Sequence, residues 1–589
     1  MDNIGSDWII NKPLNLASNQ EIVFADGVVI QAKEDCFHGK NDSLFTGKNL
    51  TNLTMQGEGN AVLRMRKKDY QDSTKYSRAE WRMGISLIDC KNVIIRNFTV
   101  TQTGGDGLYL GAGTDGYCKN VLVEDMNFDD NHRLGLAVIS AEDLMIRRCK
   151  FNNTLGTGPD GGIDFEPNHP GQRLVNCVVE DSELAGNTKG GGIDIYTVKL
   201  NADSLPLSIT FNRCNIKGNA AGMSSTIWRK PDHSVKGTVT FNDCHSDHNR
   251  ISLRNATVDS AQYLFKNCIF DYSPVAGKTG WDNSPFTLVT DVNVDDAVIG
   301  GIAFDKSIAI VGEGVQPISG PSQGVLTFSN QITGTLSVKQ NGKMTLFDLA
   351  SYIKEQRKHW DVINALKPAT VDLEALHAPD QDAIREKNDQ FYLQGSFTFL
   401  QYAKQDEQIT VKARTRKVYD RVTEVELQDP SGKMLQTVTL PLDGKVVPIT
   451  FTAEQTGFYR VVRKSTFSQL VDVSSSQRGN GLLADNKIVF LKPQGRMYFQ
   501  VPAGVRSFNL GITTDSTADV ALLEPSGKEV ERHNGVKNMQ LFSGTRTNAF
   551  KSEIWSINVS KAIWLVTVHM YAPLVPIVST NPGTMLMVD

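Results

Sequence analysis

The sequence predicts an all-β chain: a right-handed parallel β-helix over residues 1–325, a connector with one helix over 326–390, and two small β-sandwich domains over 391–475 and 476–589. Three observations predict it. A glycine recurs about every thirty residues in the first half, each time opening a short strand-like run. An asparagine recurs in the turn that closes most of these units. Beyond residue 390 the strand patterns continue, but the period is gone and Pro-Ser-Gly-Lys occurs twice.

The repeat comes first. The segments MGISLIDC, DGLYLGA, LGLAVIS, GGIDFEP, GGIDIYT and AGMSSTIW align on Gly84, Gly107, Gly135, Gly162, Gly192 and Gly222, at spacings of 23, 28, 27, 30 and 30 residues. Between them lie second runs such as NVLVEDM, DLMIRRC and SITFNRC. The closing turn carries Asn131, Asn187, Asn219 and Asn249, with Thr154 in the equivalent place of one unit. A unit of short strands without a helix cannot bury its own apolar side, whereas stacked coils share one core. An asparagine stacked at one turn donates to and accepts from neighbouring coils, so backbone groups buried there find partners. Leucine-rich repeats have shorter periods and a leucine pattern missing here. Cys149, Cys214, Cys244 and Cys268 share a register with the repeat, and all eight cysteines precede residue 269 without a CxxC. Buried thiols are expected, and neither a disulfide framework nor a metal-ligand set.

The coils from about residue 80 to 270 resemble the pectin-lyase-like superfamily of right-handed β-helix proteins. The resemblance covers roughly the first 320 residues and implies the fold. For many members it also implies action on polysaccharides as hydrolase, lyase or epimerase. The polygalacturonase motifs are not matched. GGDG supplies one acid, Asp106, and NHRLG stands where Gly-His-Gly would be, so no catalytic residue is carried over.

In the connector, LFDLASYIKEQRKHWDVINAL has apolar residues at helical spacing. The two copies of Pro-Ser-Gly-Lys, in VELQDPSGKMLQTV and VALLEPSGKEVERH, read as tight turns between strands and lie 95 residues apart, a β-sandwich length. These domains resemble accessory modules of secreted carbohydrate-active enzymes, serving as spacers or binding sugar through exposed aromatics.

At 589 residues the chain is too long for one core, and its net charge of −4 is spread without long runs. Neither a nucleic-acid nor a membrane-surface partner is expected. No apolar stretch approaches the roughly 20 residues that span a bilayer. The start, MDNIGSDWII, lacks a basic and an apolar export region. Either the protein is cytosolic or its export signal has already been removed, and a secreted or periplasmic location is the expectation.

Alternation within a strand places the functional candidates. Registered on the glycine, Leu108, Leu136, Ile163, Ile193 and Met223 form one inward row, and Leu110, Val138, Phe165 and Ile195 the next. The outward row between them holds Tyr109, Ala137, Asp164, Asp194 and Ser224, and the following one Gly111, Ile139, Glu166, Tyr196 and Thr226. Coils lie about 4.8 Å apart, so Asp164 and Asp194 become neighbours, with Glu166 about 7 Å along the strand. Like charges this close raise at least one pKa and leave a protonated acid beside an ionised base, which glycoside hydrolysis requires.

Asp164, Asp194 and Glu166 are therefore the catalytic candidates, with Asp106 and Asp160 as candidates to join them. Tyr109, Tyr196, His132, Arg133, Glu80, Trp81, Arg82, Trp228 and Arg229 gather around them as groups to position a sugar. The competing reading makes the acids a solvated face or a Ca2+ site; no other cofactor is expected. The leading function is a glycoside hydrolase acting on a polysaccharide or oligosaccharide. A polysaccharide lyase or uronate epimerase and a non-catalytic glycan-binding adhesin are the alternatives. GxxxxGK[ST], HExxH and GxSxG are all missing from the sequence.

Overall fold

Three strands separated by corners make each coil of the N-terminal unit. Gly161–Phe165, Leu174–Glu180 and Glu183–Ala185 form one coil, and Gly191–Tyr196 opens the next. The computed structural model describes residues 1–227, 234–254, 256–273, 284–289, 298–319, 327–328, 331–379, 391–416, 423–464, 470–485, 487–514, 517–536 and 539–588. The described residues up to 360 form one compact unit and those from 361 onward a second. Among the described residues no helix is long and apolar enough to cross a membrane.

Corresponding strands of successive coils pair in parallel, which makes a parallel β-helix. One stack is an 11-stranded sheet, and the other two merge into a sheet of 22 strands. The inward rows are the expected ones: Leu108, Leu136, Ile163 and Met223 are fully buried, and Phe165 and Ile195 no more than 1% exposed. Phenylalanines stack along the coil axis, Phe211 on Phe241 at 4.6 Å and Phe241 on Phe265 at 5.3 Å between ring centroids.

The recurring glycine has a steric cause. A Cβ on Gly84, Gly107, Gly135, Gly162 or Gly192 would lie 2.6 to 3.0 Å from the carbonyl oxygen of the corresponding glycine one coil on. Only a residue without a side chain lets backbone approach backbone that closely.

The asparagine ladder performs its expected task. Asn219 Oδ1 accepts from the backbone N–H of Asn187 at 3.0 Å and from Asn187 Nδ2 at 2.8 Å, while its own Nδ2 donates to Leu184 O at 2.9 Å. Asn249 Oδ1 accepts from Asn219 N at 3.0 Å. Thr154 receives the ladder bond at its backbone N–H, which donates to Asn187 Oδ1 at 2.9 Å, but its buried hydroxyl has no partner. Asn219→Ala strands three buried groups together. It is expected to cost about 2–4 kcal/mol of stability, read as a lowered unfolding midpoint in urea.

The cysteine column marks a corner. Arg148, Arg213, Asp243 and Asn267 each adopt a positive φ of 51 to 53°, a left-handed turn that aims the next residue inward. Those next residues are Cys149, Cys214, Cys244 and Cys268, no more than 4% exposed. All eight cysteines are free thiols, as expected.

The expected helix is Leu349–Asn364, and Asp348 Oδ1 caps it by accepting from Ser351 N at 2.9 Å. In the C-terminal unit the segments expected as two sandwiches are joined. Nine strands from Tyr392–Leu393 to Asn480–Leu483 are followed by nine from Lys487–Leu491 to Ile577–Ser579. The two sets occupy mirrored places in one 8-stranded and one 10-stranded sheet. The Pro-Ser-Gly-Lys turns match as well, with Gly432 at φ 88° and Gly527 at φ 83°. Their following strands, Met434–Leu440 and Glu529–Val536, are the two edges of the larger sheet. One hydrophobic core runs through both halves, because strands of the first set pair with strands of the second and the inner faces stay continuous.

Candidate active site

The strand Gly161–Phe165 pairs with Gly191–Tyr196 so that Asp164 stands opposite Asp194. The outward row reads Ser86, Tyr109, Ala137, Asp164, Asp194, Ser224 and Ser252 from coil to coil. Ile163, Phe165, Ile193 and Ile195, between the acids in sequence, face the core. The expected register holds, and the two aspartates are neighbours about 4.8 Å apart along the coil axis.

The shelf is less open than expected. Asp164 is only 3% exposed and Asp106 is completely buried, whereas Asp194 is half-buried. Arg133 closes the cluster from the turn before the strand Leu134–Val138. Its Nη2 donates to Glu166 Oε2 at 3.1 Å, its Nη1 lies 3.5 Å from Asp106 Oδ1, and its Nε lies 4.0 Å from Glu80 Oε2. One guanidinium thus faces three carboxylates.

Burial and crowding then act on the acids. Burial, together with Glu166, pushes Asp194 up to about 7. Burial raises Asp106 to about 7 despite Arg133. Asp164 is raised well above the usual carboxylate range by burial, then by Glu166 and Asp194. Such neighbours titrate as a unit. Burial works against the Arg133 cation, but Asp106 and Glu166 override it and hold the guanidinium above its ordinary value. Burial and Asp106 push the Tyr109 phenol up to about 12, which keeps it a hydrogen-bond donor beside the acids.

Glycines shape the site at positions the sequence reading left aside. Tyr109 folds its ring over Gly111, where a Cβ would lie 2.3 Å from its Cε1. The Asp194 carboxylate lies over Gly161 and Gly191, with Oδ2 at 3.1 and 2.9 Å from their missing Cβ positions. A Cβ on Gly105 would lie 2.5 Å from Glu80 O, so this glycine lets the segment of Glu80 and Trp81 settle beside Asp106. The available signal was the doubling of glycine in TGGDG, GGID and GGIDIY, where one glycine per coil suffices for stacking.

The positioning groups divide. Glu80, Arg133 and Tyr109 join the acids, and Tyr196 stands two residues beyond Asp194 with 43% of its surface exposed. Trp81 is 47% exposed at the rim. Arg82 is a correction. It is fully buried, and its guanidinium donates to the carbonyls of Phe37 at 2.8 Å, His38 at 3.1 Å and Ser77 at 3.2 Å, fixing loops instead of reaching a sugar. His132 is also engaged away from the acids, with Nε2 bonded to Thr157 Oγ1 at 2.9 Å and Nδ1 to Gln71 Nε2 at 3.3 Å. Burial and Lys67 lower its pKa, so the ring is neutral. Asp160 Oδ1 accepts from Gly156 N and closes its own loop. Trp228 and Arg229 lie outside the described residues. Among the described residues no group of three or more His, Cys, Asp or Glu is arranged to hold a metal ion.

Residues 71–230, which contain every one of these acids, match the family described as the right handed beta helix region. The coils are a right-handed parallel β-helix. Over 245 residues the chain is similar to the SPbeta prophage-derived uncharacterized protein YorA of Bacillus subtilis strain 168, at 23% identity, covering 39% of each chain. The chain therefore spans about two fifths of that curated relative. Among solved structures, the chain is similar to a hyperthermoactive exopolygalacturonase from Thermotoga maritima (11% identity, 58% of this chain, 85% of that one, TM-score 0.33). It is also similar to PfbA, a surface adhesin of Streptococcus pneumoniae (11% identity, 57% and 80%, TM-score 0.36). A third is the tailspike gp49 of Acinetobacter baumannii bacteriophage Fri1, a capsular polysaccharide depolymerase (12% identity, 80% and 79%, TM-score 0.27).

Proposed function

We propose that the outer-face acids of this β-helix hydrolyse a glycosidic bond in a polysaccharide or oligosaccharide. The observation that carries the proposal is the in-register pairing of Asp164 with Asp194 beside an Arg133-bound Glu166. Asp194, half-buried and raised to about 7, is the proton donor to the leaving oxygen. Glu166 is the second carboxylate and pairs with Arg133 at 3.1 Å. Asp164 lies between them under cover, and its charge state is linked to both. Tyr109 and Tyr196 flank the acids with one phenol on either side.

Asp194 and Glu166 sit diagonally, one coil and two residues apart. That is about 8 Å between backbone positions, from the normal strand spacings. Carboxyl groups about 6.5–9.5 Å apart leave room for a water opposite the leaving group and favour inversion, and the spacing of the two backbones is of that order. A lyase or epimerase would need a cation on a uronate carboxylate beside its base, and among the described residues the one that closes the cluster, Arg133, already faces Asp106 and Glu166. A polymeric substrate also implies action outside the cell or in the periplasm.

The test is a glycan panel read for new reducing ends and for the ultraviolet absorbance of an unsaturated ring. The expected result is reducing sugar without that absorbance, with the product anomer inverted by proton NMR. Unsaturated product would show a lyase instead, and no product across a broad panel would leave a binding protein.

A further inference from the structure

We infer that the C-terminal unit holds a second ligand site, a cavity lined from both of its sheets that takes a single neutral sugar unit by two adjacent hydroxyls. The cavity, and not an exposed aromatic, is the binding feature. It shares no residue with the acids of the β-helix, so the inference does not rest on the proposed hydrolase.

The first observation is the shape and lining of the cavity. Its volume is about 200 Å³. That is room for about a dozen water-sized groups, the bulk of one sugar ring with its substituents. Phe391, Leu393, Phe399, Val473, Leu482 and Val578 line it on one side and belong to the hydrophobic core of the unit. Lys412, which is exposed, and Val446, which is 50% exposed, line it as well and place it at the surface. An apolar floor under a few fixed polar groups is the usual build of a small-molecule site. A sugar ring matches it, with C–H faces and hydroxyl edges.

The second observation is an ion pair in the wall. The strands Gln408–Arg416 and Leu470–Ser474 set Arg414 opposite Asp472. Arg414 Nε donates to Asp472 Oδ2 at 3.0 Å, and only 21% and 17% of the two side chains are exposed. A guanidinium beside a carboxylate presents donors next to acceptors. Each of two adjacent hydroxyls can then donate to the carboxylate and accept from the guanidinium. An anion gains less, because Asp472 already balances Arg414 and repels a second negative charge. Across the cavity, the buried Asn581 is held in place: its Oδ1 accepts from Gly583 N at 3.0 Å, and its carbonyl accepts from Ser579 Oγ at 3.0 Å. The fold itself does not require the ion pair. In the second half of the unit the mirrored strands, Ser507–Thr514 and Leu565–Met570, set Thr513 against a buried, neutral His569 at 3.0 Å. A neutral contact serves there, and it avoids the desolvation that a half-buried ion pair costs. A ligand accounts for the charged pair in the first half.

The experiment uses the full chain with glucose, galactose and mannose as probes, read by saturation-transfer NMR and by calorimetry. At least one hexose is expected to bind with about millimolar affinity. Asp472→Asn should weaken that binding about tenfold or more. Ser474→Leu, which narrows the cavity from a half-buried position and leaves the ion pair in place, should do the same, whereas Asp194→Asn should leave it unchanged. Binding that survives both cavity variants, or no binding of any of the hexoses, would overturn the inference. So would glucuronate that competes with glucose and binds more tightly, because the cavity would then be an anion site.

Discussion

Asp194→Asn is expected to lower glycan hydrolysis about a thousandfold while leaving the β-helix folded. A positioned general acid contributes roughly 10²–10⁴ in rate, and asparagine keeps the shape of the side chain without its proton. The pH profile adds a sign. The acid must be protonated, so the wild-type rate should fall as pH rises through about 7, the value to which burial and Glu166 bring Asp194. Stability should move with the same group. Its folded pKa lies above the unfolded value of 3.8, so the native state holds the proton that the unfolded chain has released. The stabilising effect is full below about 4 and is lost as pH rises to about 7. Asparagine removes that loss, so the melting temperature of the variant should rise relative to wild type across this window. Loss of activity together with a lowered melting temperature at pH 8 would instead mean a damaged fold. Full activity in the variant would remove Asp194 from the mechanism.

Gly162→Ala should destabilise the N-terminal unit strongly, by about 3 kcal/mol. The added Cβ would lie 2.6 Å from Gly192 O and 3.2 Å from Leu184 Cδ2, so the backbone of two coils must part. Overpacking of a tight core costs typically about 1–3 kcal/mol, and here the obstacle is backbone, which cannot rotate away. Gly158→Ala is the control, because nothing stands within 4 Å of its Cβ position. Its effect should stay within about 0.5 kcal/mol. The comparison is made by calorimetry, following the transition of the N-terminal unit. A Gly162→Ala protein as stable as wild type would mean that adjacent coils do not approach as closely as the glycine column requires.

Much of this could be read from the residues in order. The glycine and asparagine columns, the inward rows and the pairing of Asp164 with Asp194 all follow from a repeat whose register is one strand per coil, and the parallel ladder confirms each. The cysteine column was legible as a repeat position, but its cause, a left-handed residue just before it, shows only in the backbone. Arg82 shows where local reading stops. AEWRMG placed an arginine near the rim, yet its guanidinium turns inward to the nearby carbonyl of Ser77 and to those of Phe37 and His38, from a loop distant in sequence. His132 was similarly taken up by Thr157 and Gln71, across coils. The two sandwiches were placed by an echo 95 residues apart. Their fusion into shared sheets depends on which edge strands pair, and no local pattern encodes that.

The sequence by itself determined the coil, its period and the face on which the acids stand, because alternation and repetition are properties of neighbouring residues. Only the tertiary structure decided how exposed each acid is and which cation it faces. Burial and charge pairing depend on side chains brought together from turns about 30 residues or more apart. The pKa values that separate a proton donor from a buried neighbour arise from that assembly.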